Sequence, residues 1–510
     1  MAAHTSARTL DRSMARAVAW NAGARWVSQV LSWASTIVVA RLLTPYDYGL
    51  VGMAGLYLNL AMLISQAGIG DAIIALRDIT RRNIAELNTI SLILGVGLVG
   101  VSCALALPLA RFFSAPPLFA ILIVSSGTYI FNAFQVVPRA LLQRELRFKL
   151  LAWIEMLRTL IQIIATVLFA WLKFRYWSLV IGYVLSGVTT SGLTCYCRRH
   201  EFASPRFSQL GREVRYSLQA LVSRVAWYAY DNADFGVAGR VLGEVPLGNY
   251  SVAWTISSAP VEKITNMITG VTPVYFSAVQ ENTAELRRYL LRITEVLSFV
   301  TVPASIGIAL SADYLVPVLL GPKWYGVIGP LRLLGIFVAA RSVTTILPNL
   351  LTAIGDAGFV MWATIGSAIL MPMAFLIGSR WGTTGIAATW VFASPVIIAP
   401  IYYRVFKKIE LEVKEYVSTV LPALNASIIM AIVVLLTRSV MRSESHSLAG
   451  LFLIVLSGTL SYSGALFVLH RGRVSRLLRT TWGMFKQEPP SDSSAIEVPK
   501  TNNSNGAKKH

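Results

Sequence analysis

About fourteen apolar stretches, each long enough to cross a bilayer, follow one another along this chain from near Val18 to near His470. A transmembrane helix needs roughly 20 predominantly apolar residues. The chain supplies that length repeatedly and leaves little sequence for a soluble domain. The expected fold class is an all-α integral membrane protein, and its function has to be read from what sits inside the apolar runs.

Composition agrees. Hydrophobic residues make up 55% of the chain, charged residues 14%, and mean hydropathy is +0.60. Soluble domains carry about 25% charged residues. The net charge of +20 invites nucleic acid as a partner, but it lies in short clusters between apolar runs. There it orients the chain against the cytoplasmic leaflet, so nucleic acid is excluded. The basic segment Met1 to Arg16 leads into an apolar run with no small-residue cleavage site behind it, so it reads as an uncleaved first span. Cys103, Cys195 and Cys197 sit in or at the ends of apolar runs, an odd set that argues against a disulfide framework and against structural zinc.

The spans fall near residues 18–40, 50–70, 88–110, 118–138, 151–172, 176–197, 216–238, 248–272, 290–310, 326–349, 358–378, 384–403, 416–437 and 448–470. Beyond Arg471 the tail is polar and rich in Ser and Asn, and its last part reads as disordered. Loop charge sets the orientation. Clusters such as Arg8, Arg12 and Arg16, Arg139, Arg144, Arg147 and Lys149, Arg198, Arg199, Arg206, Arg212 and Arg215, and Arg471, Arg473, Arg476 and Arg479 outnumber the basic residues of the alternate loops by about three to one. The positive-inside rule then places both termini in the cytoplasm.

The stretch around the first span recurs around the seventh at an offset of 199. Arg25 aligns with Arg224, Val38 with Val237, Arg41 with Arg240, Leu43 with Leu242 and Gly49 with Gly248. Repeats of six helices would give two halves in the same orientation, a transporter architecture that holds substrate between them.

Ionisable groups within the bilayer are costly and are usually functional or paired. The first span carries Asn21, Arg25, Gln29, Ser32 and Thr36 at spacings of three to four residues, which puts them on one helical face. The seventh carries Arg224, Tyr228, Asp231 and Asp234 in the same way. Two such stripes at equivalent places predict two walls of one hydrated cavity; for the arginines the competing reading is snorkelling to the interface. Glu155 and Arg158, three apart, are expected to pair with each other. Arg332 and Arg341 on the tenth span receive no role. Gly95-Val-Gly97-Leu-Val-Gly100 fits a dinucleotide-binding pattern but lies inside an apolar helix, so its glycines are assigned to helix packing. No P-loop pattern occurs, and no metal site or cofactor is expected.

Four motifs now stand out: Arg41-Leu-Leu-Thr-Pro45-Tyr-Asp-Tyr-Gly49, Pro138-Arg139-Ala-Leu-Leu-Gln-Arg144, Leu247-Gly248-Asn-Tyr250-Ser, and Leu320-Gly321-Pro-Lys323-Trp324 running on to Pro330-Leu-Arg332. With them the chain resembles the Wzx-type polysaccharide repeat-unit flippases, in the colanic-acid and exopolysaccharide exporter-like branch of the multidrug/oligosaccharidyl-lipid/polysaccharide exporter superfamily. The resemblance implies two six-helix lobes in a V around a central cavity. The divisions are a cytoplasmic N-terminus (1–17), an N-lobe (18–200), a C-lobe (201–410), two extra helices (411–470) and a cytoplasmic tail (471–510). It implies a multi-pass protein of the bacterial inner membrane that is not an enzyme. The implied job is turning a polyprenyl-diphosphate-linked oligosaccharide across that membrane, with membrane lipid, a polysaccharide polymerase and a chain-length regulator as partner candidates. The residues add a mechanism: Arg25 and Arg224 receive the diphosphate, with Asn21, Gln29 and Tyr228 beside them, and Asp231 and Asp234 are the candidates for coupling to H+ or Na+. The family pattern itself carries over no ligand set. The competing classes are a membrane polymerase or glycosyltransferase of the same pathway, which would carry a large catalytic loop, a cation-coupled exporter of small molecules, and a flippase for lipid-linked peptidoglycan precursor.

Overall fold

The computed structural model describes residues 31–66, 68–75, 79–205, 211–269, 272, 276–277, 279–441, 447–473 and 475. They are helical, with no strand among the described residues. A span in hydrocarbon has no water to take up its N–H and C=O groups, and a helix satisfies them internally. The first lobe contains α1 (Leu31–Leu42), α2 (Pro45–Gln66), α3 (Ile69–Ala75), α4 (Arg81–Phe112), α5 (Pro117–Ser126), α6 (Thr128–Arg144), α7 (Phe148–Trp171) and α8 (Tyr176–Cys197). The second contains α9 (Gly211–Val237), α10 (Glu244–Thr269), α11 (Thr283–Leu315), α12 (Ile328–Thr344), α13 (Ile346–Ala353), α14 (Ala357–Gly378) and α15 (Gly382–Lys408). Then come α16 (Val413–Val440) and α17 (Leu448–Leu469).

Among the described residues, ten segments are long and apolar enough to cross a membrane, and the longest, Ala357–Lys408, comprises α14 and α15. The expected fourteen are not matched one for one by that measure. The described part of α1 is short, and α9 and α10 carry the charges Arg224, Asp231, Asp234 and Glu262.

Local chemistry sets several boundaries. Thr44 precedes Pro45 at the first position of α2, where a missing N–H costs nothing. The Asp47 carboxylate accepts from Thr44 N at 2.9 Å and from Thr44 Oγ1 at 2.7 Å, tying the first turn together. Thr80, Asn282 and Ser447 cap α4, α11 and α17 by accepting from the backbone N–H three residues on.

The two repeats meet at one end of the bundle. α2 packs along α10, and two glycines make the approach possible. A Cβ on Gly49 would overlap the carbonyl oxygen of Glu244, and a Cβ on Gly248 would overlap that of Pro45. Pro45 and Glu244 are themselves separated by 199, so each copy presents the same glycine to the same carbonyl of the other. That reciprocity is the mark of a two-fold contact.

Other sequence expectations meet the structure here. Arg158 donates to Glu155 from Nε at 2.9 Å and from Nη2 at 2.6 Å. Of the three glycines in the α4 motif, Gly95 packs against Ala133 and the Tyr129 carbonyl of α6, whereas Gly97 and Gly100 face open space. The packing assignment therefore holds for Gly95 and is corrected for the other two. Outside the lobes, α16 packs on α11, and α17 covers both, with Tyr314, Met430, Val434 and Ile454 forming the joint.

Candidate functional site

The polar face of α9 reaches four different environments. Arg224 is exposed. One turn on, Tyr228 Oη donates to the Leu56 carbonyl of α2 at 2.9 Å, a bond between the two lobes. A further turn on, Asp231 Oδ1 accepts from Arg341 Nη2 of α12 at 2.7 Å, with both side chains 25% exposed. The Arg341 guanidinium lies over two rings, 5.6 Å from the centroid of Trp254 and 5.9 Å from that of Phe337. Ring faces attract a cation without using its N–H donors, so Arg341 is held in place while retaining donors for another anion.

Asp234 is different. It is fully buried and accepts from Tyr250 Oη at 2.6 Å, from Trp390 Nε1 at 2.9 Å and from Phe235 N at 2.9 Å. Trp390 packs at a tilt against Phe337, with ring centroids 4.7 Å apart, and Phe375, at 5.1 Å, and meets Tyr230 edge-on at 5.7 Å. This aromatic cluster closes over the carboxylate. The sequence placed Asp231 and Asp234 on one cavity wall. The structure puts Asp231 at the partly open surface of the C-lobe and Asp234 inside it, because Tyr250 of α10 and Trp390 of α15 close over that side of α9.

Of the other candidates, Asn21, Arg25 and Gln29 lie outside the described residues. Ser32 and Thr36 of the same stripe are joined by a bond from Thr36 Oγ1 to the Ser32 carbonyl at 2.9 Å. Arg341 was passed over in the sequence. Its signal was its presence as a cation inside an apolar span; its partner, 110 residues away, carried no local sign.

A second assembly closes the end of the bundle where the repeats meet. Arg41 Nε donates to the Leu319 carbonyl at 2.8 Å and its Nη2 to that of Val318 at 2.5 Å. In return Lys323 Nζ donates to the Arg41 carbonyl at 2.7 Å and buried Trp324 Nε1 to that of Ala40 at 2.8 Å. Gly321, at φ +97°, occupies the left-handed region that suits glycine and turns the chain toward Lys323 and Trp324. On the repeat-related side, Arg240 lies over the Phe112 ring at 5.2 Å, and Gly239 packs on Phe113. Three of the four sequence motifs thus converge on one inter-lobe joint.

The arrangement can admit an anion at Arg341 and can close one end of the space between the lobes. The family described as polysaccharide biosynthesis protein matches residues 38–329. The lipopolysaccharide biosynthesis protein WzxC of Escherichia coli (strain K12) is 25% identical over 403 residues, 76% of this chain and 80% of the relative. The succinoglycan biosynthesis transport protein ExoT of Rhizobium meliloti (strain 1021) is 23% identical over 393 residues, 74% of this chain and 77% of the relative. Among solved structures, the lipid II flippase MurJ in an inward closed conformation superposes with a TM-score of 0.73 at 13% identity, covering 89% of this chain and 99% of that one.

Proposed function

The chain belongs to the polysaccharide biosynthesis protein family, and from that membership we propose that it flips polyprenyl-diphosphate-linked oligosaccharide repeat units across the bacterial inner membrane. It does so as a transporter, not a catalyst, and both termini face the cytoplasm. The direction is from the cytoplasmic to the periplasmic leaflet, by alternating opening of the space between the lobes. The observation that carries this reading is the reciprocal Gly49–Glu244 and Gly248–Pro45 contact, built from the family motifs themselves. A joint of that kind can close one side of a two-lobed transporter and must open for release.

A diphosphate carries at least two negative charges, and moving it through a membrane requires fixed positive charge. Guanidinium groups suit it, because they bind phosphate oxygens in pairs. Arg25 and Arg224, one per lobe, receive the diphosphate, with Asn21, Gln29 and Tyr228 contributing polar contacts. Arg341 extends that set. In the structure Asp231 neutralises it. An incoming diphosphate outweighs a single carboxylate, and the displaced Asp231 becomes available to a proton or Na+. Coupling therefore runs through Asp231, whose affinity for the ion differs between the two states. Asp234 supports this from behind by fixing α9 against α10 and α15. The polyprenyl tail stays in lipid while sugar and diphosphate cross.

The test is complementation of a strain lacking its own exopolysaccharide flippase, comparing wild type with Arg25→Ala, Arg224→Ala and Arg341→Ala at equal membrane abundance. Restored surface polymer with wild type and loss with the variants supports both the activity and the site. Restoration by every variant keeps the activity and removes the site. Failure of wild type, with accumulation of another lipid-linked precursor, overturns the activity.

A further inference from the structure

The outer side of the C-lobe carries an apolar groove of about 910 Å³ between α11, α12 and α16. Val302, Ile306 and Leu310 form one wall, Ile336 and Ala340 the floor, and Val420 the other wall. The groove's lining contains neither Asp231 nor Arg341: successive helical residues point about 100° apart, so Ala340 of α12 faces the groove and Arg341 does not. One end is not apolar. Arg332 and Arg438 line it too, and both reach the same carboxylate. Arg332 Nη2 lies 2.5 Å from each oxygen of Asp313, and Arg438 Nη2 donates to Asp313 Oδ2. Arg438 Nη1 also donates to the Leu310 carbonyl at 2.9 Å, and its guanidinium lies over the Tyr314 ring at 5.8 Å.

Two guanidiniums on one carboxylate leave the cluster with a net charge of +1. Its depth is set by the helices. Arg438 is in the last turn of α16 and Asp313 near the end of α11. From Val417 at the far end of the groove to Arg438, α16 rises about 30 Å, which is the thickness of a hydrocarbon core. The cations therefore sit at the headgroup level of one leaflet, and the apolar walls run inward from them. A face of this kind is covered by lipid, and the uncompensated charge at its mouth selects the lipid by its headgroup.

We infer that this groove is a binding site for an anionic phospholipid, with the phosphate held by Arg332 and Arg438 and an acyl chain lying against α11, α12 and α16. The site is independent of the transport reading: it faces the bilayer, not the space between the lobes. Its occupant is a structural lipid of the leaflet at the closed end. The bound chain fills the gap that α16 leaves against α12, and the phosphate balances the cluster.

The experiment uses the full chain in a neutral detergent, titrated with phosphatidylglycerol or with phosphatidylcholine of the same acyl chains, and follows the thermal unfolding midpoint. Phosphatidylglycerol half-saturates the stabilisation at a concentration at least tenfold below phosphatidylcholine. The triple variant Arg332→Gln/Asp313→Asn/Arg438→Gln, which leaves no unpaired charge, brings the two curves together. Ala340→Trp keeps the charges but fills the groove, and it weakens both lipids. Equal saturation by the two lipids on wild type, or a preference that survives the triple variant, overturns the proposal. So does a polyprenyl phosphate that saturates below phosphatidylglycerol, which would assign the groove to the transported lipid. If the triple variant fails to fold, Ala340→Trp decides: unchanged lipid saturation there overturns the site.

Discussion

Gly49 on α2 and Gly248 on α10, 199 positions apart in the chain, occupy equivalent places in one interface, each pressed against a main-chain carbonyl of the other's helix. The contact is backbone to backbone, and no side chain fits between. This has a direct consequence for substitution. Gly49→Ala forces α2 from α10 at a cost of about 1–3 kcal/mol, which the lobes can relieve by opening at that end. Polymer export at equal membrane abundance is expected to fall at least about tenfold. Gly52→Ala, which meets only ordinary contacts with Leu247, should export normally. Equal export by both variants would show that this joint need not close.

The Asp231–Arg341 pair predicts a coupled energy. Each single neutral replacement, Asp231→Asn or Arg341→Gln, leaves the other group without its partner. The double replacement should therefore be more stable than the sum of the singles, by about 1 kcal/mol. Thermal unfolding of the four proteins in detergent measures it, and strict additivity would mean the pair contributes nothing. Transport separates the roles: the double variant should regain abundance without regaining export.

Asp234 predicts the opposite pattern. Its replacement by Ala strands the Tyr250 hydroxyl proton inside the lobe, at about 1–3 kcal/mol, while the Trp390 indole N–H keeps its bond to Tyr250 Oη at 3.1 Å. Asp234→Asn keeps an acceptor oxygen and should lose less. The expected readout is lower membrane abundance and a lower unfolding midpoint, with Asp234→Ala below Asp234→Asn. A variant of normal abundance whose export merely changes its ion dependence would move Asp234 into the coupling role.

At the joint, Trp324→Phe removes the N–H that meets the buried Ala40 carbonyl. Phe is smaller than the fully buried indole it replaces, so the loss combines the hydrogen bond, about 1–2 kcal/mol, with a cavity term. Lys323→Met removes the partner bond to Arg41 at an exposed position and should cost less. Protease or thiol accessibility near Tyr48, which meets the Trp324 ring edge-on at 5.3 Å, should rise more for Trp324→Phe than for Lys323→Met. The reverse order would contradict the assignment.

One acid-sensitive contact lies outside the spans. Asp356, between α13 and α14, accepts from Arg404 Nε at 2.8 Å and lies 3.7 Å from Lys408 Nζ. The Arg404 hydrogen bond, with the charges of Arg404 and Lys408, holds its carboxyl below the usual carboxylate range. A depressed folded-state value means the contribution is present above the unfolded value near 4 and is lost as pH falls through the lower folded one. Asp356→Asn should therefore lower stability slightly at neutral pH and flatten the decline below about pH 4. An unchanged acid profile would assign that decline to other groups.

The residues alone determined that the chain is a bundle of membrane helices, because stretches of apolar sequence long enough to cross hydrocarbon have no other stable form. They also determined that it contains a repeat, since Gly49 and Gly248 answer a backbone requirement that recurs at a fixed offset. Residues three apart on one helix, such as Glu155 and Arg158, were legible as partners for the same local reason. What the sequence left open was which face of each helix meets protein. In lipid both faces are apolar, so α14 buries Phe375 and exposes Trp362 with nothing in its pattern to say so. Asp231 and Asp234 looked alike for that reason, and only the packing of α10, α12 and α15 gave one an arginine and the other a sealed set of donors. The Arg41 bonds to Val318 and Leu319 likewise join segments more than 270 residues apart, a distance over which hydropathy carries no register. The tertiary structure decided the pairing of the charges, and with it where an anion can enter.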